Sequence, residues 1–176
     1  MLLQYFKKKE NKDKHIAKSV YNEIILVIQN IFLKHSKIKN DFNSSFEITT
    51  LILFSIFFGS KKKLSKKNQF LIQELMNLFT EDLDYSMRIN GIGDMSIGKY
   101  VKSYVKKFYF RISRYEEIFI NKKKEDFNLF LINLDIFFEK HKNNVLIDSL
   151  FEDSLILIER AKKDEITKKI LFDIFI

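Results

Sequence analysis

The chain has no cysteine, no proline and no tryptophan, and only four glycines in 176 residues. Without cysteine it can hold neither a disulfide nor a thiolate metal site, which fits a reducing compartment. Three histidines, His15, His35 and His141, stand apart with no partner at ligand spacing. Each reads as a solvated surface residue, so no metal and no cofactor is expected. Arginine is scarce too, with four among 31 basic residues. The opening Met-Leu-Leu-Gln-Tyr-Phe-Lys-Lys-Lys has no apolar core after its charges, and no arginine precedes Arg88. No targeting segment is therefore expected. The most apolar run, Phe46 to Phe58, is interrupted by Glu47, Thr49, Thr50 and Ser55. It falls short of the roughly 20 residues a membrane span needs, so no transmembrane segment is expected. It reads as a helix buried in the core or one offered to an apolar partner.

What is present points to helices. Apolar residues make up 46% of the chain and include 19 phenylalanines, enough to fill a core. Apolar residues recur at helical spacing almost throughout, and clear alternating strands are lacking. The expectation is an all-α fold, a single compact bundle of about six to seven helices spanning residues 1–176. The helices fall at about His15–Lys34, with Ile16, Val20, Ile24, Val27 and Ile31 on one face, and at Phe46–Phe58, closed by Gly59. A third starts at an N-cap Ser65 and runs through Leu75, Phe79, Leu83 and Met87. A fourth follows Asp94–Ser96 to about Ile120. The last three lie at Glu125–Lys140, at Ile147–Lys162, and near Ile176. The net charge is +8, but Lys, Asn, Ile and Phe are abundant while Gly, Pro, Ala and Arg are scarce. An AT-rich genome produces that skew, so runs such as Lys61-Lys62-Lys63 read first as solvated loops.

The fourth helix is the most patterned. At 100° per residue, Ile97, Val101, Val105, Phe108, Ile112, Tyr115 and Phe119 fall in one sector. Lys99, Lys102, Lys106, Lys107, Arg111 and Arg114 occupy the opposite one. Such a helix buries one side and presents a cationic stripe. Lys102, Lys106, Lys107, Arg111 and Arg114 are thus a candidate basic partner face. They suit a solvated surface, or contact with anionic lipid, RNA or an acidic partner. Phe110 projects from that basic side.

Three of the four glycines fall within eight residues, Gly91-Ile-Gly93-Asp94-Met95-Ser96-Ile97-Gly98, followed by Lys99. The spelling Gly-x-x-x-x-Gly-Lys is that of a phosphate-binding loop. Such a loop needs Ser or Thr after the lysine and a strand before the first glycine. Here Tyr100 follows, and the preceding residues have helical spacing. The better reading is a corner, with Asn90 and Gly91 closing one helix in a left-handed cap and Asp94 or Ser96 capping the next. Asp84 and Arg88 are spaced i, i+4, and Arg88 is expected to satisfy carbonyls of the turn. No catalytic constellation appears. The acidic pairs Glu81/Asp82, Glu116/Glu117 and Glu152/Asp153 are adjacent, about 100° apart on a helix, and no serine sits in a nucleophile elbow. The expectation is a protein that is not an enzyme.

The run Asp84-x-x-x-Arg88-x-x-Gly91-Ile92-Gly93-Asp94-x-x-Ile97-Gly98-Lys99, followed by an aromatic-rich helix, resembles the signature of the ubiquinol–cytochrome c chaperone family. Phe108-Tyr109-Phe110-Arg111 is similar to that family's F-Y-G-R, with Phe110 in place of the glycine. Ser44-Ser45-Phe46-Glu47 stands where the family has G-R-F-[DE], and the family's prolines are missing. The likeness covers about 17–120, and 121–176 reads as a helical extension of the same domain. The resemblance implies an assembly chaperone that binds newly made cytochrome b for biogenesis of the respiratory cytochrome bc1 complex. By the same resemblance Asp84, Arg88, Gly91, Gly93, Asp94, Gly98 and Lys99 form a structural corner or partner contact, with the client surface elsewhere. The second helix is a candidate for exposed apolar surface. Further implied partners are the ribosome exit region or a small assembly protein, and an anionic membrane surface. The implied location is the cytoplasm, peripheral to a bacterial inner membrane, or the matrix side of the mitochondrial one. Two readings compete: a basic helical module for RNA or membrane surfaces without a cytochrome b client, and a nucleotide-binding enzyme using Gly93–Lys99.

Overall fold

A computed structural model describes residues 2–61, 65–138, 145–163, 165–166 and 170–175, with side chains described from residue 14 onward. Seven helices lie among them: α1 Leu2–Lys34, α2 Phe42–Ser60, α3 Lys66–Ile89, α4 Asp94–Ile120, α5 Lys124–Ile132, α6 Val145–Lys162 and α7 Ile170–Phe175. No strand longer than one isolated bridge occurs among the described residues, and the expected all-α class holds.

α2 is the centre. It is apolar on every side, so no face of it suits water. Helices α6, α4, α1 and α3 pack around it. Its hydroxyls turn back onto their own helix: Thr49 donates to the Ser45 carbonyl, Thr50 to Phe46 and Ser55 to Leu51, at 2.7–2.9 Å. Those bonds satisfy polar groups that burial would otherwise leave unmatched. α2 is therefore not the exposed apolar surface that the sequence suggested. Nor does it fall short of a membrane-spanning length. α2 and the Lys14–Lys34 part of α1 are both long and apolar enough by length and composition, but 72% of the α2 stretch is buried inside the protein. The phenylalanines knit the helices together: Phe119 of α4 stacks on Phe151 of α6 at 5.1 Å, and Phe54 of α2 packs against Tyr115 and Phe119 at 5.3–5.4 Å.

Several expected boundaries move. α1 begins 13 residues before His15, because residues 4–14 hold five lysines with one Gln and one Glu, all good helix formers. α2 starts at Phe42, four residues before Phe46, since the Asp41 carboxylate accepts from the Ser44 amide at 2.8 Å and caps it. Gly59 does not close α2, which continues through Ser60. Gly59 is instead the crossing point with α6: a Cβ there would lie 2.5 Å from both the Ala161 Cβ and the Ile158 carbonyl oxygen. Ser65 caps α3 as expected, accepting from the Asn68 amide.

α5 stops at Ile132 instead of running to Lys140. Asn133 bonds back to the Leu129 carbonyl through its side chain, and Asp135 takes a positive φ of 58°. The chain then straightens against the α1–α2 connection, with Lys39 N–H donating to Ile136 and Phe138 N–H to Lys37. Leu134 and Phe137 are buried as their apolar character requires, but by this extended segment, while Phe138 is exposed. Residues 139–144, including the expected end at Lys140, lie outside the described residues, as does Ile176.

Candidate functional site: the α3–α4 corner and its charged supports

The corner is set by backbone chemistry. Ile92 N–H donates to the Met87 carbonyl and Gly91 N–H to the Arg88 carbonyl, the paired bonds of a Schellman cap. Gly91 carries the positive φ that this motif needs, +81°. α4 then opens at Gly93, which has ordinary extended torsions and no side-chain cap. The expected caps, Asp94 and Ser96, do not serve that role. Ser96 Oγ donates to the Gly93 carbonyl, and Asp94 is already helical. Asp94 instead meets Arg88.

Arg88 spans the corner. Its Nε donates to Asp84 Oδ2 at 2.6 Å, and its Nη1 donates to Asp94 Oδ1. The guanidinium therefore ties α3 to the first turn of α4 through two carboxylates, where turn carbonyls were expected as its partners. The bonds to Asp84, then to Asp94, raise its pKa further. A carboxylate in the first turn of α4 is also favoured by the helix dipole.

The remaining signature glycines need a different account. Gly93 and Gly98 both have torsions open to any residue, and a Cβ built on either meets nothing within 4 Å. Gly98 lies in the second turn of α4, where glycine costs about 0.5–1 kcal/mol relative to alanine. No contact among the described residues offsets that cost. Over Gly98 opens a groove of about 520 Å³ between Glu81 and Asp84 of α3 and Val101, Lys102 and Val105 of α4. Around the corner stand Tyr85, Ile89 and Met95, each more than 60% exposed, and Lys99 is exposed as well. The corner makes no phosphate cradle. Residues 94–98 are helix, and the Ile97 amide is already bonded to the Gly93 carbonyl.

The candidate basic face divides. Lys107, still partly exposed, and Arg111 close on Glu47 of α2, whose side chain is fully buried. Arg111 donates Nε and Nη2 to the two Glu47 oxygens at 2.9 and 3.0 Å, a bidentate pair. Lys107 reaches Glu47 Oε1 at 3.0 Å and Asn43 Oδ1 at 2.9 Å, and lies over the Phe46 ring. Asn43 in turn donates to the Leu134 carbonyl. Arg114 pairs with Glu117 one turn along its own helix. Only Lys102 and Lys106 of the five are left exposed, without an ion-pair partner among the described residues. Beside the Glu47 cluster, burial first and the Glu47 charge second raise the pKa of Tyr115 and Tyr104. The Tyr115 hydroxyl is buried with no hydrogen-bond partner among the described residues.

The two flanking motifs of the sequence thus meet: the acid of Phe46-Glu47 is the counter-ion of the arginine in Phe108-Tyr109-Phe110-Arg111. Spacing within one helix could not show this pair, because its partners lie 64 residues apart. The available signal was a single acid inside an otherwise uncharged run.

Fold and site define an all-helical protein built round a buried apolar helix, with a charge-locked interhelical corner as its distinctive surface. The chain belongs to the ubiquinol-cytochrome C chaperone family, whose model matches residues 34–133. It is similar in fold to the Cbp3 homolog from Brucella abortus, at 21% identity and a TM-score of 0.76, over 93% of this chain and 89% of that one. No curated protein sequence matches it. Family membership makes it a chaperone of the cytochrome bc1 assembly type.

Proposed function

We propose that the protein binds newly made cytochrome b and holds it for assembly into the cytochrome bc1 complex, with the α3–α4 corner as the client contact. One observation carries the placement. The signature residues Gly93, Asp94, Gly98 and Lys99 are exposed, and the two glycines leave open space that none of the described residues fills. A glycine inside a helix with empty space beside it suits close approach by another backbone. The exposed Tyr85, Ile89 and Met95 give the same corner the apolar contact area that a membrane-protein client requires. This reverses the expectation that the client surface lies elsewhere. Its setting is the face of the membrane where cytochrome b is made, the cytoplasmic side in a bacterium.

The test is co-purification of cytochrome b with the tagged full-length chain from its native cell, for the wild type and for Gly98→Leu. The wild type should retain cytochrome b. The variant should lose most of it with an unchanged or higher melting temperature, since the new side chain enters open space. Absence of cytochrome b from the wild type would refute the client. Full retention by Gly98→Leu would refute the corner.

A further inference from the structure

The outer ridge of α4 runs on from the corner, with which it shares Met95 and Lys99. Lys99, Lys102 and Lys106 lie along it, all exposed and none ion-paired among the described residues. The same ridge carries three large apolar groups in water. Met95 at its start is fully exposed, and Tyr109 and Phe110 near its middle are 59% and 63% exposed. From Met95 to Phe110 this is about 22 Å of straight helix. Ser103 lies within the ridge and Ser113 just beyond it, and no acid falls between Lys99 and Ser113.

The geometry points to this ridge as a docking surface for an anionic lipid bilayer, with α4 lying along the headgroups. Charge complementarity selects an anionic partner. The kind of cation and its company select lipid over nucleic acid. All four arginines are held by carboxylates: Arg88 by Asp84 and Asp94, Arg111 by Glu47, Arg114 by Glu117 and Arg160 by Glu165. No planar fork is left to grip a phosphate bidentately. What remains are lysines, point charges on long apolar stems that suit a diffuse anionic surface. A methionine and two aromatic rings at the level of lysine stems are what the headgroup boundary accommodates. This inference goes beyond the client reading, since a bilayer contact here needs no cytochrome b.

The chain has no tryptophan, so Phe110→Trp gives a single reporter on the ridge. The purified full-length protein carrying it is titrated with phosphatidylglycerol/phosphatidylcholine vesicles, with pure phosphatidylcholine vesicles, and with a polyuridylate RNA. Anionic vesicles should shift the emission to the blue, and acyl-chain-brominated lipid should quench it. Pure phosphatidylcholine and RNA should do neither. In co-sedimentation at low salt, Lys99→Gln/Lys102→Gln/Lys106→Gln should weaken binding to anionic vesicles on the order of a hundredfold. These side chains are exposed, so the melting temperature should not change. Equal binding by the triple variant would overturn the proposal. So would RNA binding tighter than vesicle binding, or anionic vesicles that bind without a blue shift. Cytochrome b enters none of these measurements, so their failure leaves the client reading standing.

Discussion

At the scale of single residues, the buried Glu47 ties α2 to α4. Removing one partner of a buried charge costs more than the pair contributes, because the other charge stays in the core unmatched. Arg111→Met is therefore expected to destabilise the protein by about 3 kcal/mol, within the range for broken buried pairs. Lys107 remains as a partial counter-ion, which argues against a larger loss. Adding Glu47→Gln should restore much of the stability, and urea unfolding of the two variants checks this. Gly98 is the opposite case. It touches nothing, so Gly98→Ala should raise stability by about 0.5–1 kcal/mol. For a chain of this length that is a rise of a few degrees in melting temperature. A fall would mean that the open space is used within the protein itself.

At the scale of elements, local signals and long-range ones parted company. Ser65 and the Asn90-Gly91 cap were legible because each rests on a residue type that one backbone geometry demands. The face of α4 was legible as two sectors, since period 3.6 decides which residues share a side. Which cations on the polar side were free was not, because a glutamate on another helix claims Lys107 and Arg111. The end of α5 was misread for a similar reason. Leu134 and Phe137 keep helical spacing, but pairing with Ile38 across the bundle outweighs it. Gly59 looked like a helix terminator because its crossing with Ala161 is invisible without α6 in place. At the corner, the +81° torsion of Gly91 makes a prediction that separates strain from packing. Gly91→Val should cost about 1–2 kcal/mol through the backbone alone, since no atom lies near its Cβ. Gly91→Asn should cost less, because asparagine tolerates the left-handed region. Equal melting temperatures for the two would remove the torsional account.

At the scale of the whole molecule, buried tyrosines shape the response to alkali, Tyr21 and Tyr115 most of all. Tyr21 and Tyr115 both have raised pKa values, in each case chiefly through burial. Tyr21 also donates to Asp82 and so joins α1 to α3. In the unfolded chain their hydroxyls ionise near pH 10, whereas in the folded chain they stay neutral. Above that pH the unfolded state binds fewer protons, so stability falls as pH rises. The slope is about 1.4 kcal/mol per pH unit for each tyrosine. Below pH 10 the contribution is intact. Tyr115→Phe should make the slope shallower by about 1.4 kcal/mol per pH unit in urea unfolding series above pH 10. It also removes a buried hydroxyl that has no partner, so stability at neutral pH should hold or improve. An unaltered slope would place the titration elsewhere.

The seating of α2 has a consequence in time. Its principal cover is α6, whose last turn is made about a hundred residues after α2 is complete. At about 5–20 residues per second, synthesis leaves α2 without that cover for on the order of 5–20 s. Through that interval the nascent chain displays a 19-residue apolar helix of membrane-spanning composition. A chaperone of this family is thus, while being made, itself open to misrouting. Translation stopped at residue 133, the end of the family match, should yield chains that aggregate or partition into membranes, and fractionation of the truncated product would show it.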